Sequence, residues 1–164
     1  MKKVIVIGCP GSGKSVFSRE LHEITGFPLY PLDMIRWRKD RTIIPREQFI
    51  DRIMEIVSGD EWIIDGNYNS TMELRMSYCD TIIFLDYPTE ICYEGIMKRR
   101  GTDRPDMPWI EPKDEVDQEF IDFVLQYNDV SRPVVLERIK KFSDREIHIF
   151  KSRAEASAFL ESLR

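Results

Sequence analysis

Apolar and polar positions change rhythm repeatedly along this chain. Val4 to Ile7 are four consecutive apolar residues, the pattern of a strand buried on both faces, and three glycines follow within six residues. From Ser15 the spacing becomes helical: Val16, Phe17, Leu21 and Ile24 share a face until Thr25-Gly26, where glycine supplies the stop. Residues 27–32 predict a short second strand, and Pro28 and Pro31 place it at a sheet edge, where a missing donor matters least. Phe49, Ile50, Ile53, Met54 and Val57 predict a helix over 45–57. "EWIID" (61–65) and "TIIFLDY" (81–87) predict the third and fourth strands, with a short helix over 70–78 between them. Pro88, a favoured first-turn residue, opens a helix reaching about Arg100. Segment 101–118 holds three prolines and almost no periodicity, which predicts a loop or lid. Helical spacing returns over 119–142, where Pro133 predicts a kink or break. Residues 145–150 predict a fifth strand and 154–163 a closing helix. Trp62, Phe84, Phe120 and Phe123 are assigned to the core.

Strand–helix alternation of this kind predicts an α/β domain with a largely parallel sheet, in which ligands collect beyond the carboxyl ends of the strands. The polar residues of interest fall there: Gly8 to Ser15 follow the first strand, Asp33 the second, Asp65-Gly66-Asn67 the third and Asp86 the fourth. At 164 residues the chain fits one domain. Its 42% apolar and 32% charged residues exclude a disordered chain. No apolar run approaches the roughly 20 residues of a bilayer span. Met1-Lys2-Lys3 is basic, but the apolar run after it is shorter than the ~7–15 residues of a secretory core, so a cytoplasmic protein is expected. Cys9, Cys79 and Cys92 form no C-x-x-C pair and are expected to be reduced thiols. The net charge of −5 supplies no global basic face for nucleic acid and leaves room only for a local patch.

"GCPGSGKS" (8–15) matches G-x-x-x-x-G-K-[ST] at every fixed position, between a strand and a helix. Gly8, Cys9, Pro10, Gly11, Ser12 and Gly13 form a loop whose glycines allow backbone N–H groups to turn inward around phosphate. The helix start adds the positive end of its dipole. Lys14 reaches the β- and γ-phosphates, and Ser15 offers its hydroxyl to Mg²⁺. A polyphosphate with Mg²⁺ is therefore the expected ligand.

With this loop, "PLDMIRW", "WIIDGNY", "DTIIFLDYP", "KRRGTDRPDM" and "QYNDVSRPVVLERI", nearly the whole chain resembles the small nucleotide-kinase branch of P-loop proteins, the adenylate and shikimate kinase group. More specifically it resembles the bacterial topology-modulation (FlaR-like) proteins. The resemblance implies a three-layer α/β/α fold with a five-stranded parallel sheet of order 2-3-1-4-5. It also implies an acceptor-binding segment at 34–60, an arginine-bearing lid at 101–118, and transfer of the γ-phosphate of ATP–Mg²⁺ to a small acceptor. The acceptor and the oligomeric state are left open. Two alternatives stand beside a kinase: a nucleotide-dependent regulator associated with DNA topology, and a simple ATPase.

Further residues carry two readings each. Asp65 either holds Mg²⁺-bound water beside Ser15, as the "DG" of adenylate kinases implies, and faces the substrate, or caps the turn after its strand. Asp33 either holds the acceptor hydroxyl and takes its proton, as in shikimate-kinase-like enzymes, or caps a helix. Arg36 either faces the acceptor or belongs to a solvated charge run with Arg38 and Arg41. Lys98, Arg99, Arg100 and Arg104 are the densest basic cluster; Arg100 and Arg104, with Arg99 next, are the lid arginines expected over the γ-phosphate, and charge at a helix C-terminus is the alternative. Arg132 is a weaker candidate. Adenylate kinases follow "DG" with Phe-Pro-Arg, whereas Asn67-Tyr68-Asn69 stand here. Asn67 is a substrate-binding candidate, and Arg75 is the candidate to substitute for the absent arginine. The lid contains no cysteine for a zinc staple. His22 and His148 are assigned structural roles.

Overall fold

A computed structural model describes residues 1–115 and 117–164; Val116, inside the expected lid, lies outside the described residues. Five strands form one sheet: β1 (Lys3–Gly8), β2 (Leu29–Pro31), β3 (Trp62–Asp65), β4 (Thr81–Leu85) and β5 (Glu146–Phe150). All pairings are parallel and the order is β2-β3-β1-β4-β5, the topology expected from the sequence. The helices are α1 (Lys14–Thr25), α2 (Leu32–Arg36), α3 (Arg46–Val57), α4 (Asn69–Tyr78), α5 (Thr89–Arg99), α6 (Gln118–Lys141) and α7 (Arg153–Ser162).

The unbroken apolar run of β1 is explained by two cores, one on each face of the sheet. Val4 and Val6 pack with Phe17 and Leu21 of α1, Cys92 and Ile96 of α5, and Ala156 and Leu160 of α7. Ile5 and Ile7 point the other way, toward Phe49 and Ile53 of α3 and Met72 and Met76 of α4. Helix α6 contributes Val124 and Tyr127 to the first core and Val135 and Ile139 to the second. Pro133 does not break it: the helix runs through from Gln118 to Lys141. The lost ladder bond is outweighed because buried residues on both sides of the proline anchor the helix to the sheet.

Register places the site. Val6 lies beside Asp65 and Gly8 beside Leu85, while Pro31 of the edge strand lies beside Asp65. The residues after β1, β2 and β3 are thus neighbours at one sheet edge. Helix α5 sits against the glycine loop at backbone contact. A Cβ on Gly11 would lie 2.0 Å from the Cys92 carbonyl oxygen, and one on Gly95 would lie 2.0 Å from the Gly11 carbonyl oxygen. Only glycine fits at either position, and this close approach fixes which face of α5 looks into the site.

Candidate active site

The loop between β1 and α1 turns through left-handed conformations at Gly11 (φ 84°) and Gly13 (φ 93°), which glycine adopts without strain. The Lys14 ammonium folds over it, donating to the carbonyl oxygens of Gly8 (3.0 Å) and Cys9 (3.2 Å). Desolvation pulls the Lys14 pKa down, with Asp65 opposing. The Ser12 hydroxyl is buried and has no hydrogen-bond partner among the described residues. A polar atom orphaned inside a loop of inward-facing amides fits a phosphate oxygen. The Cys9 thiol is turned into the core, 3.9 Å from the Val124 carbonyl oxygen.

Asn67 clamps this loop. Its amide nitrogen donates to the Gly8 carbonyl (2.6 Å) and its amide oxygen accepts from the Gly8 N–H (3.1 Å). Asp65 ends β3 with 5% exposure. Burial pushes its carboxyl up to about 6; Lys14 opposes this, while Asp33 and Asp106 add to it. Asp33 follows β2 and accepts a 2.6 Å hydrogen bond from the Tyr68 hydroxyl. Burial and then the Asp33 charge raise the Tyr68 pKa, so the phenol stays protonated as the donor. Tyr68 itself holds φ 38°, a left-handed conformation that is unfavourable for a bulky residue.

Arg75 underlies this strained turn. It is fully buried, and its guanidinium donates to the carbonyl oxygens of Gly66 (2.9 Å), Asn67 and Tyr68 (3.2 Å) and to the Thr71 hydroxyl (3.3 Å). Burial pulls its pKa down to about 9, which leaves it charged at neutral pH. It does not enter the cleft. The placement expected from the missing Phe-Pro-Arg arginine is corrected accordingly: i, i+4 spacing from Thr71 along α4 directs Arg75 beneath the loop, where it meets three part-buried carbonyls.

Two hollows flank Lys14 and Ser15. One, of about 400 Å³, is lined on its acceptor side by Pro31, Asp33, Tyr68, Asn69, Phe120 and Phe123, with Asp65, Asn67, Arg99 and Asp106 also at its wall. The other, of about 370 Å³, runs between Gly11, Gly13 and Gly95, with Lys14, Arg19, Lys98, Arg99, Arg104 and Arg153 around it. An adjoining hollow of about 290 Å³ is walled by Phe17, Leu85, Tyr87 and Leu160.

The lid arginine facing both clefts is Arg99; Arg100 faces neither. Arg99 is four residues beyond Gly95, so it shares the face of α5 that rests on the glycine loop. Arg100 is the extended residue after that helix and lines a separate hollow with Glu111, Asp117 and Phe120. Burial and then Arg104 lower the Arg99 pKa. Arg104 lies in the phosphate-side hollow as expected for a lid residue and is 3.4 Å from Asp106. Arg36 is turned onto the Ile44 carbonyl oxygen (2.6 Å) and the Phe49 ring (5.2 Å), and it lines neither cleft. Arg132 forms a two-pronged pair with Asp86 (2.7 and 2.9 Å), which Lys151 joins. Phe123 is not core: it is 41% exposed. Phe120 is partly buried and packs against the first core, and both rings also wall the acceptor-side cleft. Trp62 and Phe84 are fully buried.

Sequence reasoning missed Asp106. The Ser15 hydroxyl donates to its carboxylate at 2.9 Å, which brings the lid directly over the loop. The available signal was its position two residues beyond Arg104 in "DRPD". Segments 34–60 and 101–118 also meet: Trp37 and Trp109 pack edge to face at 6.0 Å, and Arg41 lies over Trp109 and pairs with Glu115 at 3.2 Å.

Among the described residues no three acidic, histidine or cysteine side chains are gathered to hold a metal.

No protein-family model and no curated protein matches the chain. Solved structures do match it. The shikimate kinase of Acinetobacter baumannii, in complex with shikimate, superposes with a TM-score of 0.61 at 15% identity, over 99% of this chain and 90% of that one. The enzyme from Bacteroides thetaiotaomicron gives 0.57 at 15%, over 98% and 94%. That from Aquifex aeolicus gives 0.55 at 19%, over 98% and 92%.

The fold is that of the shikimate kinases. The shikimate-kinase-like sheet order and nearly complete coverage of both chains place the glycine loop of this protein in a P-loop kinase-like framework. At such identities the likeness concerns the fold alone.

Proposed function

We propose that this protein is an ATP-dependent phosphotransferase acting on a small hydroxyl compound in the cytoplasm. The observation that carries the reading is the convergence of Lys14, Ser15, Asp33, Asp65 and Arg99 on one cleft beside the glycine loop. The amides of Gly8 to Ser15 hold the triphosphate, and the apolar wall of Phe17, Leu85 and Tyr87 suits the base. Ser15 and, through water, Asp65 would hold Mg²⁺, which would supply positive charge to the terminal phosphates. Asp106 must leave the Ser15 hydroxyl for this, so nucleotide entry requires the lid to move.

Asp33, held by Tyr68, accepts the proton of the acceptor hydroxyl as its oxygen attacks the γ-phosphorus and the bond to the β-phosphate oxygen breaks. Lys14, Arg99 and Arg104 hold the charge spread over the transferring oxygens. The buried thiols Cys9, Cys79 and Cys92 suit a reducing compartment. Among the described residues no helix is long and apolar enough to cross a membrane. A topology-associated regulator would need a basic face, which a net charge of −5 does not favour.

Label from γ-labelled ATP is expected to pass to a hydroxyl compound, and Lys14→Ala to lower that rate about 100-fold or more. Steady ADP release with no labelled product from any hydroxyl compound would replace the kinase reading with an ATPase.

A further inference from the structure

The two clefts differ in charge. The phosphate-side hollow has six cationic residues against Asp103 and Asp106. The acceptor-side cleft has Asp33, Asp65 and Asp106, and its cations are Lys14 and Arg99, both shared with the phosphate side. The acceptor side thus has no cation of its own among the described residues. The two arginines that could have supplied one are committed elsewhere: Arg36 to the Ile44 carbonyl and the Phe49 ring, Arg75 to three backbone carbonyls beneath the floor. Asp33 has no ion-pair partner among the described residues; the Tyr68 hydroxyl is its hydrogen-bond donor. What faces the acceptor is a carboxylate, the Tyr68 and Asn69 side chains, and the rings of Phe120 and Phe123.

We infer that the acceptor is a hydroxyl compound bearing no carboxylate or phosphate of its own, with a ring or other apolar face that rests on Phe120 and Phe123. The inference rests on the kinase reading above. Once ATP–Mg²⁺ occupies the phosphate side, Lys14 and Arg99 serve its tail. An anionic acceptor would then meet Asp33 and the triphosphate with no positive group to offset them, and like charges brought together repel. A neutral sugar, polyol or nucleoside, or an amino alcohol, meets no such barrier and offers the hydroxyl that Asp33 needs.

The test is a transfer assay with γ-labelled ATP and the full chain, run on matched pairs: nucleosides against their monophosphates, sugars against sugar phosphates and sugar acids, and amino alcohols against hydroxy acids, shikimate included. The expected result is labelled product from at least one uncharged or amine-bearing compound, at a rate about 100-fold above its anionic partner. Asn69→Arg, which adds a cation to the acceptor wall, should narrow that ratio by about tenfold. Transfer to an anionic compound at a rate equal to or above its uncharged partner overturns the inference and leaves the kinase reading standing. Transfer to no compound in either set overturns both.

Discussion

Arg75→Met lowers the stability of this protein by about 3–5 kcal/mol, read as a fall of roughly 10 °C or more in the thermal midpoint. The effect is large because the guanidinium serves the Gly66, Asn67 and Tyr68 carbonyls at once in a fully buried position. Methionine fills much of the volume and supplies no donor, so the Gly66 and Asn67 carbonyls lose their partner at about 1–3 kcal/mol each, while the Tyr68 carbonyl keeps the Thr71 N–H and hydroxyl. A total stability of roughly 5–15 kcal/mol leaves little margin for such a loss. Arg75→Lys should recover less than half, since an ammonium cannot reproduce the planar fork. Arg75 also holds Tyr68 at its left-handed φ of 38°, so surviving Arg75→Lys protein should lose phosphate transfer beyond its loss of stability. A change below about 1 kcal/mol in Arg75→Met would show that the turn after β3 stands without its strut.

Asp65→Asn does the opposite to stability. A carboxyl pushed from an ordinary 3.8 to about 6 binds its proton more tightly in the folded chain than in the unfolded one. Its contribution is therefore intact below the unfolded value and is lost as pH rises through the folded value, an effect of roughly 3 kcal/mol against the fold at pH 8. Removing the charge stabilises the ligand-free protein. The gain measured by urea unfolding should be about 1.5 kcal/mol larger at pH 8 than at pH 5. The same change should cost about 10–100-fold in Mg²⁺-dependent activity, the usual effect of removing a group that orients a metal through water. A gain that does not vary between pH 5 and pH 8 would mean that Asp65 titrates normally. The strain stored in this carboxylate is of the kind that function imposes on a fold.

The sheet was legible because its signal is local. The unbroken run Val4–Ile7, the paired prolines of the edge strand and the helical spacing of 45–57 each report burial that the observed cores supply. The glycine loop was legible because motif and context coincide. The side chains around it were harder to assign, because their direction depends on neighbours distant in sequence. Arg99 and Arg100 are adjacent in the chain, and only the contact of Gly95 with Gly11 sets which of them faces the cleft. Arg75 reads as a free cation until the carbonyls above it are seen. Asp106 sits in an aperiodic segment, so its bond to Ser15, 91 residues away, left no signal beyond its place two residues after Arg104. Pro133 shows the converse, a strong local signal overruled by packing at both ends of α6.

The most direct measurement is a crystal structure of the protein grown with a non-hydrolysable ATP analogue and Mg²⁺. The account predicts the triphosphate seated on the backbone amides of Gly8 to Ser15, with the Lys14 ammonium swung from the Gly8 and Cys9 carbonyls onto phosphate oxygens and Asp106 withdrawn from Ser15. A triphosphate ordered elsewhere on the protein, with this loop unchanged at saturating analogue, would contradict it.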